Sequence, residues 1–152
     1  MLNVTARQEL MRTIVETLGV VVEEARLDFG EDGLSVRVVD PSHVAMIKMD
    51  VDSAAFETWE VDETKLGLEM RKMHQFLSVA GAGDMVELAY NDETGQATIH
   101  IGRIDLNLRP LDNSTLNPPN VPSLELPCGV TIGGSELAQA LRAAKLVGDL
   151  VN

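Results

Sequence analysis

The feature that most constrains this chain is a hydrophobic period that keeps changing. Three stretches with apolar residues three and four apart stand among eight short runs that alternate or are β-branched. No all-helical or all-strand fold accommodates both periods, so the expected class is α+β. The first helical stretch runs from about Thr5 to Val22, with Leu10, Met11, Ile14, Val15, Leu18, Val21 and Val22 as its stripe. Thr5 and Gln8 stand at capping-box spacing before it. The second covers about Met70 to Ala80, with Met73, Phe76, Leu77 and Ala80 inward. The third begins at Ser135 as N-cap and buries Leu137, Leu141 and Ala144.

Candidate strands are Arg26–Phe29, Leu34–Val39, Val44–Asp50, Thr58–Val61, Lys65–Glu69, Met85–Tyr90, Ala97–Ile101 and Ile104–Leu108. Turns separate them at Gly30-Glu31-Asp32-Gly33, Gly81-Ala82-Gly83-Asp84 and Asn91-Asp92-Glu93-Thr94-Gly95. The order is a loose duplication of one α+β unit, visible in the elements more than in residue identity. From Asp112 to Pro127 both periods vanish and prolines and asparagines accumulate, as expected of an extended connector. Cys128–Ile132 and Ser135–Val147 then restart a strand and a helix. The expected organisation is a first domain over 1–111, a connector over 112–127 and the opening of a second domain over 128–152.

Charge narrows the function. There are 24 acidic residues against 12 basic ones, four of them lysines, for a net charge of −12. Such a surface is heavily hydrated and repels nucleic acid, and it suits a protein of a high-salt cell where screening shortens that repulsion. An ordinary acidic protein is the plainer alternative. The basic residues are not evenly spread. Residues 5–22, 70–80 and 135–147 hold six of them (Arg7, Arg12, Arg71, Lys72, Arg142 and Lys145) and three acids (Glu9, Glu16 and Glu136). These stretches therefore carry +3 and the remainder −15. A helical face of that sign suits sequence-independent contact with phosphates, although helix surfaces also carry Arg and Lys for solubility alone.

An enzyme is not expected, and no catalytic residue, metal site or cofactor is assigned. His43, His74 and His100 show no ligand spacing, and Cys128 stands alone. Gly81-Ala82-Gly83 lacks the rest of a dinucleotide fingerprint, and Gly133-Gly134 lacks a following Lys and hydroxyl. Asp50/Asp52 and Asp62/Glu63 read as solvated surface in so acidic a chain. The first residues, from Met1 to Arg7, have neither the basic region nor the apolar run of a secretory signal, so a cytoplasmic protein is the simplest reading.

The order of these elements and several runs resemble the PCNA-type DNA sliding clamps. Leu34-Ser-Val-Arg-Val-Val-Asp-Pro-Ser-His-Val-Ala-Met46 is similar to that family's strand–turn–strand segment, and Ala55-Phe56-Glu57-Thr58-Trp59 to the family's next segment. Ala80-Gly81-Ala82-Gly83-Asp84, Leu111-Asp112 and Gly133-Gly134-Ser135-Glu136-Leu137 through Val147-Gly148-Asp149 extend the likeness nearly end to end. The resemblance implies a homotrimeric ring that encircles duplex DNA and tethers the replicative polymerase, the clamp loader and other proteins carrying clamp-binding peptides. It implies DNA-facing positions at Arg12 and Arg142, with Arg71, Lys72 and Lys145 compensating for family basic positions now held by Gly19, Gln75, Ser78 and Gln139. It places a peptide groove at Val39, Asp40, His43, Val44 and Met46, with Val121 and Pro122 from the connector. Read from the residues alone, Asp40-Pro41-Ser42-His43 is a plain turn. The implied subunit contact is the edge strand near Arg103–Arg109 (Ile104, Leu106 and Leu108) with the end of the second helix (Gln75, Leu77 and Ala80). That edge expects a partner strand from a second domain. If residue 152 is the true end, a standard ring cannot close, and the alternative is a shortened clamp-like adaptor that binds partner peptides without encircling DNA.

Overall fold

Leu2, Val4 and Ala6 alternate with Asn3, Thr5 and Arg7, and the structure, a computed structural model that describes residues 1–150, turns that alternation into a strand. This β1 (Leu2–Arg7) lies between two antiparallel neighbours, with Thr5 opposite both Thr58 and Glu87. The expectation of a helix from Thr5 with a Thr5/Gln8 capping box is thereby corrected. The helix α1 begins at Gln8 and ends at Gly19, and Arg7 precedes it without any side-chain cap. The buried Gln8 donates its backbone N–H to the Asp84 carbonyl at 2.8 Å, so a neighbouring loop satisfies what a cap would have.

The remaining strands are β2 (Glu24–Gly30), β3 (Gly33–Val39), β4 (Met46–Asp52), β5 (Thr58–Val61), β6 (Thr64–Glu69), β7 (Met85–Asn91), β8 (Gln96–Ile101) and β9 (Ile104–Leu108). A short 3₁₀ turn at Ser53–Ala55 comes after β4, and α2 (Met70–Leu77) after β6. They form a five-stranded sheet ordered β5-β1-β7-β8-β9 and a four-stranded sheet ordered β4-β3-β2-β6. Every pairing is antiparallel. Period-two burial gives each sheet one apolar face: Leu27 and Phe29 on β2, Leu34, Val36 and Val38 on β3, Val86 and Leu88 on β7, Ala97, Ile99 and Ile101 on β8. Against these faces α1 buries Met11, Ile14, Val15 and Leu18, and α2 buries Met70, Met73 and Leu77. The two helices pack on each other. Trp59 closes one end, its indole N–H donating to the Gly30 carbonyl at 3.0 Å and its ring 4.5 Å from Phe56.

The chain divides into two units, Met1–Val121 and Pro122–Asn152. The first includes the start of the proline-rich segment, which is tied to β6. The Leu111 N–H donates to the Gly67 carbonyl at 2.8 Å, and the Asn113 amide to the Lys65 carbonyl at 2.7 Å. In the second unit only α3 (Gly134–Ala144) is regular among the described residues. Three expectations fail there. Cys128–Ile132 forms no strand. The cap is Gly133, whose N–H donates to the Glu136 carboxylate at 3.3 Å, and Ser135 lies inside the first turn. Leu137 and Leu141, expected to be buried, are 45% and 47% exposed, because α3 has no sheet of its own unit to pack on.

Candidate partner groove and nucleic-acid interface

The loop between β3 and β4 is wound around one side chain. The Asp40 carboxylate accepts backbone N–H groups from Ser42 at 3.0 Å, Val44 at 2.7 Å and Ala45 at 2.6 Å, and also the Ser42 hydroxyl. The Asp40 N–H in turn donates to the Ala45 carbonyl at 2.9 Å. These bonds, with that from Ala45 foremost, hold the Asp40 carboxyl down at about 2. Winding this tight places His43 in the left-handed region, at φ 57°. The loop is therefore both the turn its residues favour and a rigid mount. It holds Val44 86% exposed and Met46 39% exposed, with Val39 half-buried beside them. Isolated exposed hydrophobics are ordinary, but these three lie together on one ordered loop and its flanking strands.

A cleft of about 170 Å³ runs from Val38 and Val39 past Arg37 and Arg26 to Thr115–Pro119. Its connector wall is Thr115 to Pro119, a few residues before the expected Val121 and Pro122. Val121 is 45% exposed at the end of the first unit and Pro122 opens the second. Arg26 braces this wall, donating to the Leu116 carbonyl at 3.5 Å while its guanidinium holds both oxygens of Asp28 at 2.8 and 3.1 Å.

Arg12, Arg71 and Lys72 lie on the helices of the first unit, but they are less free than their number suggests. The Arg12 Nε stands 3.7 Å from Glu16, too far for a hydrogen bond, and is left without a partner. The same Glu16 oxygen is 3.2 Å from His74 Nε2. Lys72 pairs with Glu69 at 2.9 Å, whereas Arg71 is exposed and forms no ion pair among the described residues. A cleft of about 620 Å³ between α1 and α2 is rimmed by Glu16, Glu23, Arg71 and His74. Arg142 and Lys145 are exposed on α3 and at its C-cap in the second unit. The observed helix bounds reduce the positive surplus, since Arg7 ends β1 and Lys145 only caps α3. What remains is four basic residues against three acids.

Of the expected subunit contacts, β9 is a free edge of its sheet, with Ile104 43% exposed and Leu106 and Leu108 half-buried. Gln75 is exposed. Leu77, fully enclosed, and Ala80, 8% exposed, belong to the core, so they support this surface from beneath and do not form it. A cleft of about 220 Å³ joins Leu108 and Arg109 to Met73 and Phe76 of α2, although helical spacing alone gives Phe76 only a core role. No helix of the described residues is long and apolar enough to cross a membrane, and no cluster of three metal-ligating side chains occurs among them.

Residues 1–107 match the family model of the proliferating cell nuclear antigen N-terminal domain. The chain is 35% identical over 150 residues to the DNA polymerase sliding clamp of Methanococcoides burtonii, covering 98% of this chain and 61% of that protein. It is 30% identical over 150 residues to the sliding clamp of Haloarcula marismortui, with the same coverage. It thus spans about three fifths of the length of these curated relatives. Among solved structures, A. fulgidus PCNA bound to the C-terminal region of FEN-1 superposes with a TM-score of 0.93 at 31% identity, covering 98% of this chain and 61% of that one. With residues 1–107 matching that family model and the fold superposing over 98% of the chain, the chain belongs to the proliferating cell nuclear antigen family and has that family's α+β clamp fold.

Proposed function

We propose that this chain is the N-terminal part of a DNA polymerase sliding clamp, a processivity factor that encircles duplex DNA without reading its sequence and tethers replication and repair proteins. The observation that carries this reading is the match over 98% of the chain to sliding clamps, with the Val44 loop kept as a rigid apolar mount. In this reading residues 1–111 are one clamp domain, 112–127 the connector and 128–152 the start of a second. Val39, Asp40, His43, Val44, Met46, Val121 and Pro122 receive peptides of the replicative polymerase, the clamp loader and other partners. Arg12, Arg71, Lys72, Arg142 and Lys145 face DNA. Gln75, Ile104, Leu106 and Leu108 meet a neighbour in a homotrimer. Its place is with the DNA, in the cytoplasm of an archaeal and halophilic cell, and it acts as a tether with no catalysis of its own.

An adaptor that binds peptides without circling DNA would keep the same groove and differ only in its hold on DNA. Family membership gives that alternative no support. The test compares this chain with a version extended by the remaining part of the Methanococcoides burtonii clamp. Light scattering in molar salt gives the mass, and retention is measured on circular and linear duplexes. A trimer of the extended version held on circular DNA and lost from linear DNA is the expected result. An extended version that stays monomeric, or is held equally on both, overturns the ring reading.

A further inference from the structure

Beside the apolar loop the outer face of the four-stranded sheet carries a row of cations. β3 pairs with β4 so that Arg37 stands opposite Lys48, and Val39 opposite Met46 one step further along the same face. β2 pairs with β3 through Leu27 and Val36. The ladder ends at that pair, and Arg26 and Arg37, the next residues on the two strands, line one cleft. Three basic side chains therefore stand side by side across three strands, in a chain of net charge −12. Like charges set directly across strands disfavour the sheet that carries them.

The outer two cations are neutralised. Arg26 holds Asp28 with two hydrogen bonds, and Lys48 pairs with Asp50 at 2.7 Å. Asp50 spends its other oxygen on the Ser35 hydroxyl at 2.9 Å. The middle residue, Arg37, has no ion pair among the described residues and reaches Asp50 only through space, as the lesser of two cations that lower the Asp50 pKa. Arg37 lies in the wall of the cleft that holds Val39 and Thr115–Pro119. Two residues along a strand span about 6.6 Å. An anchor seated on Val39 and Met46 thus has a guanidinium within one side-chain length on its sheet side.

We infer that Arg37, supported by Arg26 and Lys48, is a carboxylate-accepting subsite of the groove, and that its occupant is a partner peptide with an Asp or Glu beside its apolar anchor. This rests on the groove reading above. The guanidinium supplies planar donors that fit a carboxylate, and the surrounding negative charge steers acidic segments to this row alone.

The test uses the full chain and NMR titration with peptides of the A. fulgidus FEN-1 C-terminal region, flanked at one end or the other by two Glu or by two Gln. One Glu-flanked peptide binds about two- to fivefold tighter than its Gln twin in 0.1 M salt, the range of an exposed ion pair. That preference disappears in 2 M salt and in Arg37→Gln, and it reverses in Arg37→Glu, while Val44→Asp weakens every peptide. Equal binding of the Glu and Gln twins at both ends, with Val44→Asp still weakening all of them, overturns the subsite and leaves the groove standing. Peptides that do not bind, or that ignore Val44→Asp, overturn the groove and the subsite together. A short duplex DNA that shifts the Arg37 Nε resonance more than the Glu peptide does would make the row a phosphate contact and overturn the proposal.

Discussion

Gly67 decides where the connector lies, and a single methyl group at that position tests the account of the cleft. A Cβ built on Gly67 would stand 2.8 Å from Leu116 Cδ1, 2.9 Å from the Leu111 carbonyl oxygen and 3.0 Å from Leu111 Cβ. The Leu116 methyl can rotate away at little cost. The Leu111 atoms cannot, because the 2.8 Å bond from Leu111 N–H to the Gly67 carbonyl pins them. In Gly67→Ala the segment either stays and is overpacked, at about 1–3 kcal/mol, or it lifts off. Lifting gives up that bond and those from Asn113 to Lys65 and from Arg26 to Leu116, about 1 kcal/mol each. It also gives up two half-buried leucines, about 1 kcal/mol each at half the usual value for full burial. Lifting therefore costs more than overpacking, so the segment stays in place under strain, and its local opening becomes easier by about 2 kcal/mol, roughly thirtyfold. Amide exchange monitored by NMR should show the Leu111 N–H exchanging about thirty times faster, while amides of β7 and β8 change little. The Thr115–Pro119 wall should loosen with it, weakening any peptide held there. An exchange rate within about threefold of the original would mean that the segment is not held by this contact, and the reasoning would fail.

The same contacts set three further outcomes. Gly33 has φ 147° and a Cβ there would lie 2.1 Å from the Val51 carbonyl oxygen, so Gly33→Ala should lose about 3 kcal/mol or more in urea unfolding, and a loss below about 1 kcal/mol refutes it. Asp40 has its carboxyl lowered from 3.8 to about 2 by the loop's N–H groups, so the order it gives is fully present above pH 3.8 and is lost as pH falls through about 2. The Val44 and Ala45 amide shifts should titrate near pH 2, and titration near 4 would show that the bonds do not hold in solution. Glu16→Gln frees Arg12 and His74 from their shared carboxylate, so it should tighten duplex binding about twofold in 50 mM salt, measured by anisotropy. Unchanged or weaker binding would remove Glu16 as a competitor of phosphate.

Local pattern reveals most of the strands because each alternation is short and bounded by Gly, Asn or Asp. Thr58–Val61 and Ile104–Leu108 are legible to the residue. β1 is not, because Leu2, Val4 and Ala6 run directly into a helical stripe and Thr5 and Gln8 imitate a cap. Cys128–Ile132 has strand composition, but a strand also needs a ladder partner, which composition cannot supply. Leu77 reads from the sequence as core and, through the family resemblance, as subunit surface, and its complete burial leaves only the first role. The Arg26, Arg37 and Lys48 row depends on register. Each residue looks isolated in the sequence, eleven positions from the next, and only two hairpins of fixed turn length bring them abreast.

The charge of the helices also changes meaning once partners are known. In the first unit Lys72 is engaged by Glu69 and Arg12 lies near Glu16, which leaves Arg71 as the basic residue on these two helices without an ion pair. Exposed pairs of this kind are worth about 0–1 kcal/mol, and at 1 M salt the screening length is only about 3 Å. Salt therefore weakens the internal pairs and the attraction to phosphate together, so no salt range turns this face into a strong electrostatic grip. On the proposed reading, the hold on DNA has to come from topology, a closed ring threaded by the duplex. Attraction to phosphates then only centres the duplex. Retention of the extended version on circular DNA should consequently survive molar salt, while its weak contact with linear DNA should fall steeply over the same range. If both decline in parallel, charge and not encirclement holds the DNA, and the ring reading fails at its central point.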